Sequence, residues 1–204
     1  MDATTKERVR VLLRMKAGYV EQDELLAMLI TQASAQVEAY LNRDLLAATK
    51  TEYLNMEGPE QRSLWLSHPP VSSVTSLAFD PSSQWDGSES TYDADDYILN
   101  PATGEMRLRF EPAVYPNDPA SGFRSFRVVY EGGLAADTDA LVAAYPSIAY
   151  ATDLQVAALY HRSADPQADQ RSFGGAAVKV SEPLGLIRAA REACGQYRLI
   201  RFRP

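Results

Sequence analysis

Glu21-Gln-Asp-Glu-Leu-Leu-Ala-Met-Leu-Ile-Thr-Gln-Ala-Ser-Ala-Gln-Val-Glu-Ala-Tyr-Leu-Asn42 carries the plainest structural signal in the chain. Leu25, Leu29, Ala33, Val37 and Leu41 recur every four residues. Leu26, Ile30 and Tyr40 widen that stripe into the apolar face of a helix. Gln22, Thr31, Gln32, Gln36 and Glu38 fill the polar intervals, and Glu21, Asp23 and Glu24 place negative charge at the positive end of the helix dipole. The spacing predicts one helix over 21–42. Ahead of it, Gly18 ends a shorter helix, Lys6 to Met15, which Thr4 and Thr5 can cap. Val9, Leu12 and Leu13 form its apolar face, with Arg8, Arg10 and Arg14 outward.

From Thr49 the grammar changes to short segments of strand propensity: Thr51 to Leu54, Arg62 to Leu66, Val71 to Phe79, Tyr97 to Leu99, Glu105 to Phe110 and Phe123 to Tyr130. Turn signals separate them, among them Glu57-Gly58-Pro59, His68-Pro69-Pro70, Asn100-Pro101 and Thr103-Gly104. In Val71-Ser-Ser-Val74-Thr-Ser-Leu77 the apolar residues fall three apart, so the alternation of an ordinary strand is broken. Arg107, Arg109, Arg124 and Arg127 share segments with Met106, Leu108, Phe126 and Val128, the pattern of a sheet with one wet face. No helix-length crossover intervenes, so the sheet is expected to be antiparallel.

Helix returns at Pro146, a residue suited to a first helical turn. Ile148 to His161 is apolar on nearly every side and belongs inside a core or between subunits. Ser163 to Val180 reads as a polar connection, and Ser181-Glu-Pro183 opens a last helix with Ile187, Ala190, Cys194 and Tyr197 on one face. The expected fold is therefore α+β. A helical core is formed by the terminal segments, 1–48 and 136–204, around an inserted antiparallel β module, 49–135. No 20–50-residue repeat is present.

With 204 residues, the chain suffices for one ordinary domain or a core with an inserted subdomain. Hydrophobic residues at 46% and charged residues at 23% are a globular composition. Twenty basic against 27 acidic residues leave −7, which disfavours a free-standing nucleic-acid binder that grips phosphates with clustered cations. Cys194 is the single cysteine, so neither an internal disulfide framework nor a cysteine-based zinc site is expected. No apolar run approaches the ~20 residues that cross a bilayer, and no signal-peptide core follows Met1, so no membrane partner is expected.

Motifs for chemistry are absent too. His68 and His161 lie in different predicted elements, one a turn residue before two prolines, the other a favourable cation at a helix end. No nucleophile elbow, phosphate loop or zinc helix occurs, and Gly132-Gly133 and Gly174-Gly175 read as turns. No catalytic, cofactor-binding or metal-ligating residues are expected.

Two charged stretches remain as candidates. Asp80, Asp86, Glu89, Asp93, Asp95 and Asp96 lie in a stretch without Lys or Arg. Asp93-Ala-Asp95-Asp96 lacks the glycine and glutamate of a calcium loop. The stretch reads as a solvated loop between strands, or as a surface that repels a polyanion or meets a basic partner. Residues 181–204 carry five arginines against Glu182 and Glu192, a balance of +3 in a chain whose remainder sums to −10. Arg198 suits a helix C-terminus, whereas Arg201 and Arg203 lie past it. The alternation Arg198-Leu-Ile-Arg201-Phe-Arg203 is equally that of an extended tail adding to a neighbour.

The ordered set of segments resembles the head–tail connector (adaptor, or head-completion) proteins of long-tailed double-stranded-DNA phages. The likeness runs through Asp23 to Leu45, Leu64 to Leu77, Tyr97 to Leu108, Phe126 to Leu134, Pro146 to His161 and Leu186 to Arg201, ending in Tyr-Arg. Departures are the long segment Asp80 to Asp95 and the Gly/Ala-rich approach to the last helix. The resemblance implies a structural virion protein, assembled in the host cytoplasm and placed at the neck between head and tail. It further implies a ring of identical subunits, expected to number twelve, below the portal protein. The ring extends the channel for packaging and ejection, and the next neck or tail-completion protein docks on it. Genomic DNA would pass without sequence-specific binding, and twelve copies at −7 sum to −84, a mostly repulsive conduit if carboxylates line it. On this reading Arg198, Arg201 and Arg203 dock on the portal, and the acidic stretch faces the channel or the next neck component. The competing readings are a neighbouring stopper or tail-completion protein, against which the helices at 21–42 and 146–161 argue, and a small hydrolase using a carboxylate pair.

Overall fold

A computed structural model describes residues 2–16, 22–56, 62–109, 123–164, 172–173, 176–177 and 185–199. Gly18, Glu21, Glu57-Gly58-Pro59, Phe110, Gly174-Gly175, Ser181 to Pro183, Arg201 and Arg203 lie outside the described residues. The chain divides into a unit of residues 1–46 and 135–204 and a unit of residues 47–134. It leaves the first at Leu46 and re-enters at Ala135, residues joined by a bridge, so the second unit is an insertion.

The first unit is helical. Helix α1, Lys6–Leu12, starts where the Thr5 hydroxyl accepts from the Arg8 N–H. It stops earlier than the sequence pattern suggests because Arg14 turns left-handed at φ 55°. The Met15 and Arg14 N–H groups then close back on the Arg10 and Val11 carbonyls, a Schellman ending without glycine. Helix α2, Asp23–Leu41, buries Leu26, Leu29, Ile30, Ala33, Val37 and Leu41, the expected stripe, and ends at Asn42, also left-handed. Helix α3, Thr138–Ala144, was not evident in the sequence: it buries only Leu141, and its start rests on Asp137 accepting from the Ala140 N–H. Helix α4 runs Pro146–Ala164, and α5 Arg188–Cys194.

The apolar helix α4 lies inside the core of a single copy, with α1, α2, α3 and α5 all packed on it. Three buried polar residues interrupt it, and each has partners. The Thr152 hydroxyl donates to the Ile148 carbonyl. Asp153 accepts from the Thr4 hydroxyl and from Arg8 Nη2, the latter at 2.8 Å. Gln155 Nε2 donates to Gln36 Oε1 (2.6 Å), while its Oε1 accepts from the Ile187 N–H (2.9 Å). The last contact holds Ile187 extended, so α5 starts at Arg188.

In the inserted unit the described residues form two antiparallel sheets. Strands β1 (Ala48–Leu54), β3 (Val71–Phe79), β4 (Ser90–Tyr92) and β7 (Phe126–Gly132) assemble in the order β1-β7-β3-β4. Strands β2 (Ser63–Trp65), β5 (Tyr97–Asn100) and β6 (Glu105–Leu108) assemble as β2-β6-β5. The inner faces share one core: Leu64, Met106 and Leu108 from the smaller sheet against Leu77, Phe79, Phe126, Val128 and Tyr130 from the larger. The irregular spacing of β3 has a physical reason. Its pairing with β7 shifts register between Val71 and Ser73 and again between Val74 and Ser76. Each bulge absorbs one residue. Val71, Val74 and Leu77, three apart, thereby face Gly132, Tyr130 and Val128, two apart, and all point inward.

Candidate interaction surfaces

The acidic stretch 80–96 is built structure rather than a bare loop. Asp80 follows directly on β3, is 2% exposed, and its N–H donates to the Ser125 carbonyl. One carboxylate oxygen accepts from the N–H (2.8 Å) and hydroxyl (2.7 Å) of Ser82, the other from the Trp85 N–H (2.7 Å). Burial opposes its charge, but these hydrogen bonds outweigh it and hold the carboxyl below the usual aspartate range. The turn passes through Ser83 and Trp85 at φ 57° and 55°. Trp85 is thereby laid on the outer face of the four-stranded sheet. It meets Tyr53 edge-on at 5.3 Å, and the Arg127 guanidinium sits 4.9 Å from its ring centre. Tyr53 and Arg127 are register partners on β1 and β7, so both side chains leave the same side. Arg124 covers Tyr53 at 4.5 Å, and Arg127 Nη2 binds Glu89 Oε1 at 2.8 Å. From Ser90 the chain returns as β4.

The acids thus have distinct positions. Asp80 ties the turn. Glu89 is half-buried and held below the ordinary glutamate range, first by its own backbone N–H and then by Arg127. Asp93 and Asp96 form a capping box on the 3-10 turn Ala94–Asp96. Asp86, Asp93 and Asp95 are exposed.

An Asp80→Ala chain is expected to lose about 2 kcal/mol, since hydrogen bonds to a charged acceptor exceed neutral ones. Trp85 should become more accessible to acrylamide quenching. The native contribution carries a pH signature with a definite sign. Because the folded-state pKa lies below the unfolded one, the stabilisation is complete above about pH 4 and fades as pH falls through the lower folded value. Acid unfolding should therefore be less steep below pH 4 in the alanine chain.

The basic end is anchored where it is described. The Leu199 N–H donates to the Leu41 carbonyl at the end of α2, and the Arg198 guanidinium lies 5.2 Å over the Tyr40 ring. Arg198 is exposed yet belongs to the surface of α2; Arg201 and Arg203 fall outside the described residues.

His68 is more than a turn residue. Its N–H donates to the Tyr130 hydroxyl (3.2 Å), which donates to Glu52 Oε1 (2.7 Å). Glu52 also accepts from the Ser67 N–H, and His68 Nε2 lies 3.4 Å from it. Burial, then the Glu52 carboxylate, raises the Tyr130 phenol far above its ordinary range, so it stays a donor. The signal was available in the sequence: Glu52 occupies an inward position between Lys50 and Leu54. His161 lies in α4, its ring edge-on to Tyr160 at 5.9 Å. Among the described residues no three His, Cys, Asp or Glu side chains converge as a metal site, and no helix is long and apolar enough to cross a membrane.

The fold is shared over nearly its whole length with solved chains. One is from the neck of an empty gene transfer agent (GTA) particle computed with C6 symmetry: TM-score 0.63, 19% identity, covering 98% of this chain and 91% of that one. Another is from the virion of a native gene transfer agent particle, at TM-score 0.61, 21% identity, and 98% and 91% coverage. A third is from the neck of the native particle computed with C12 symmetry, at TM-score 0.56, 19% identity, and 87% and 84% coverage. Comparison with curated proteins finds no match. The sequence itself matches the head completion protein family over residues 3–198, nearly the whole chain, so the chain belongs to the head completion protein family.

Proposed function

We propose that this chain is a neck component of a tailed-phage-like particle. Twelve copies form a ring below the portal, extend the DNA channel and carry the next neck protein. The observation that carries the reading is the continuity of one fold with a particle-neck chain over 98% of the sequence. A structural, non-catalytic role agrees with charged side chains spent on holding turns and helices, as Asp80, Asp153 and Glu52 are. The exposed acids Asp93 and Asp95 would face the channel or the next component, where negative charge keeps passing DNA from sticking.

Portal docking is assigned to the basic end, Arg198, Arg201 and Arg203. Because Arg198 and Leu199 rest on α2, the informative truncation ends at Leu199. Portal-bearing heads carrying that truncated chain should retain far fewer copies than heads with the full chain, as counted by quantitative mass spectrometry. Equal retention would refute portal docking through Arg201 and Arg203. Electron microscopy of the purified particles, with the chain labelled, tests the neck assignment: density elsewhere than at the head–tail junction would refute it.

A further inference from the structure

Four large hydrophobic side chains of the inserted unit are exposed among the described residues: Tyr53, Trp65, Ile98 and Phe123. They divide two and two between opposite sides. On the three-stranded sheet, Leu64, Met106, Leu108 and Leu99 turn inward, so Trp65, Ile98 and Arg107 turn outward. Register places Ile98 beside Arg107 and Trp65 beside Glu105 on this face. On the four-stranded sheet, Leu54, Phe126 and Val128 turn inward, so Tyr53 and Arg127 turn outward, with Trp85 laid on them. Phe123 adjoins this second face, its carbonyl accepting from the Ser83 hydroxyl. Both sheets close on one core, so their outer faces look away from each other.

Each face also presents an exposed charge that the other can meet. On the first face Arg107 is exposed beside Ile98, Arg109 is engaged with the Asp95 carbonyl at 3.1 Å with exposed Asp95 alongside, and Glu105 accepts from the Ser63 hydroxyl. On the second, Arg127 is half-buried against Trp85 and paired with Glu89, while exposed Arg124 lies over the Tyr53 ring. Asp86, at the turn, and Glu131 are exposed acids of that side. Apolar patches on opposite sides of one unit, with Arg107 on one and Asp86 on the other, meet the requirement of a head-to-tail contact, the kind that closes a ring. Trp and Arg are the side chains from which such contacts draw most of their energy.

We infer that the outer face of the three-stranded sheet (Trp65, Ile98, Arg107) docks onto the outer face of the four-stranded sheet (Tyr53, Phe123, Asp86) of a second copy of this chain. The inference rests on the ring reading proposed above. Charge reversal tests it in particles assembled with the full-length chain. Arg107→Glu and Asp86→Arg each set like charges across the contact and should cut particle-bound copies at least about tenfold. Combining both substitutions in one chain should restore retention. Co-expressing the two single variants should also restore it, because each then supplies the face the other needs, in alternation. Thermal unfolding of each variant checks that it folds as the native chain does. Normal retention of both single variants overturns the inference alone, as does loss in the singles without recovery in the double variant and the mixture. Absence of the unmodified chain from the particles overturns the neck reading and this contact with it.

Discussion

A Gly132→Ala chain is expected to lose about 3–5 kcal/mol and roughly 10 °C of melting temperature in the inserted unit. Gly132 ends β7 on its inward face, opposite Ala48 and Val71. A β-carbon there would stand closer than 3.0 Å to the His68 carbonyl oxygen, an approach real side chains do not make, and 3.3 Å from the His68 β-carbon. The obstacle is backbone, so it cannot swing aside. It is also pinned, because the Ser67 and His68 N–H groups are held by Glu52 and by the Tyr130 hydroxyl, and the Gly133 N–H donates to the Pro70 carbonyl. Relief requires moving residues 67–70 and giving up these bonds, one of them to the Glu52 carboxylate. Tyr130→Phe removes the hydroxyl without adding bulk and should cost only about 1–2 kcal/mol. Both tryptophans, Trp65 and Trp85, lie in this unit, so fluorescence during thermal unfolding reports on it directly. A Gly132→Ala chain within 1 kcal/mol of native would show that His68 does not lie against β7.

Helix α2 was legible from its four-residue apolar period, and helix α4 from Pro146 followed by a run that is apolar on nearly every side. The inserted sheets were legible as strands, and the broken alternation of β3 was the trace of two bulges that only its partner β7 could reveal. What stayed hidden has a common cause, namely pairing between residues far apart in the chain. Strand β4 lies inside an acidic run whose charge argues for solvent, and it exists because Asp80 folds the turn that brings Ser90 back to Phe79. The last helix begins at Arg188 rather than near Ser181 because Gln155, on another helix, takes the Ile187 N–H. The arginine pattern at the C-terminus left Arg198 between a helix-end cation and the start of a tail that adds to a neighbour; Arg198 rests on Tyr40 through a ring contact that sequence spacing does not encode. The six clustered acids looked equivalent in sequence; burial and partners sort them into turn-forming and outward-facing groups.

In the helical unit the largest expected effect belongs to Asp153→Ala, at about 3–4 kcal/mol. Asp153 is 4% exposed on α4, and its two oxygens are taken by the Thr4 hydroxyl and by Arg8, one residue on each side of the cap that starts α1. Breaking a buried ion pair by removing one partner costs about 3–5 kcal/mol. The lower part of that range applies because the Arg8 side chain is 38% exposed and can turn to water. Thr4, 2% exposed, has no such escape, and its hydroxyl is left buried without its acceptor. Asp153→Asn keeps an acceptor for Thr4 and should cost about half as much. The damage should be local: hydrogen exchange should quicken in residues 3–12, which α4 holds through this pair and through Val9, while tryptophan fluorescence of the inserted unit stays unchanged. Unchanged exchange in α1 would mean that its other contacts, Val9 and the Arg10–Asp23 pair among them, fix the first helix, and Asp153 would then be a tolerated buried charge rather than the bond that ties α1 to the core.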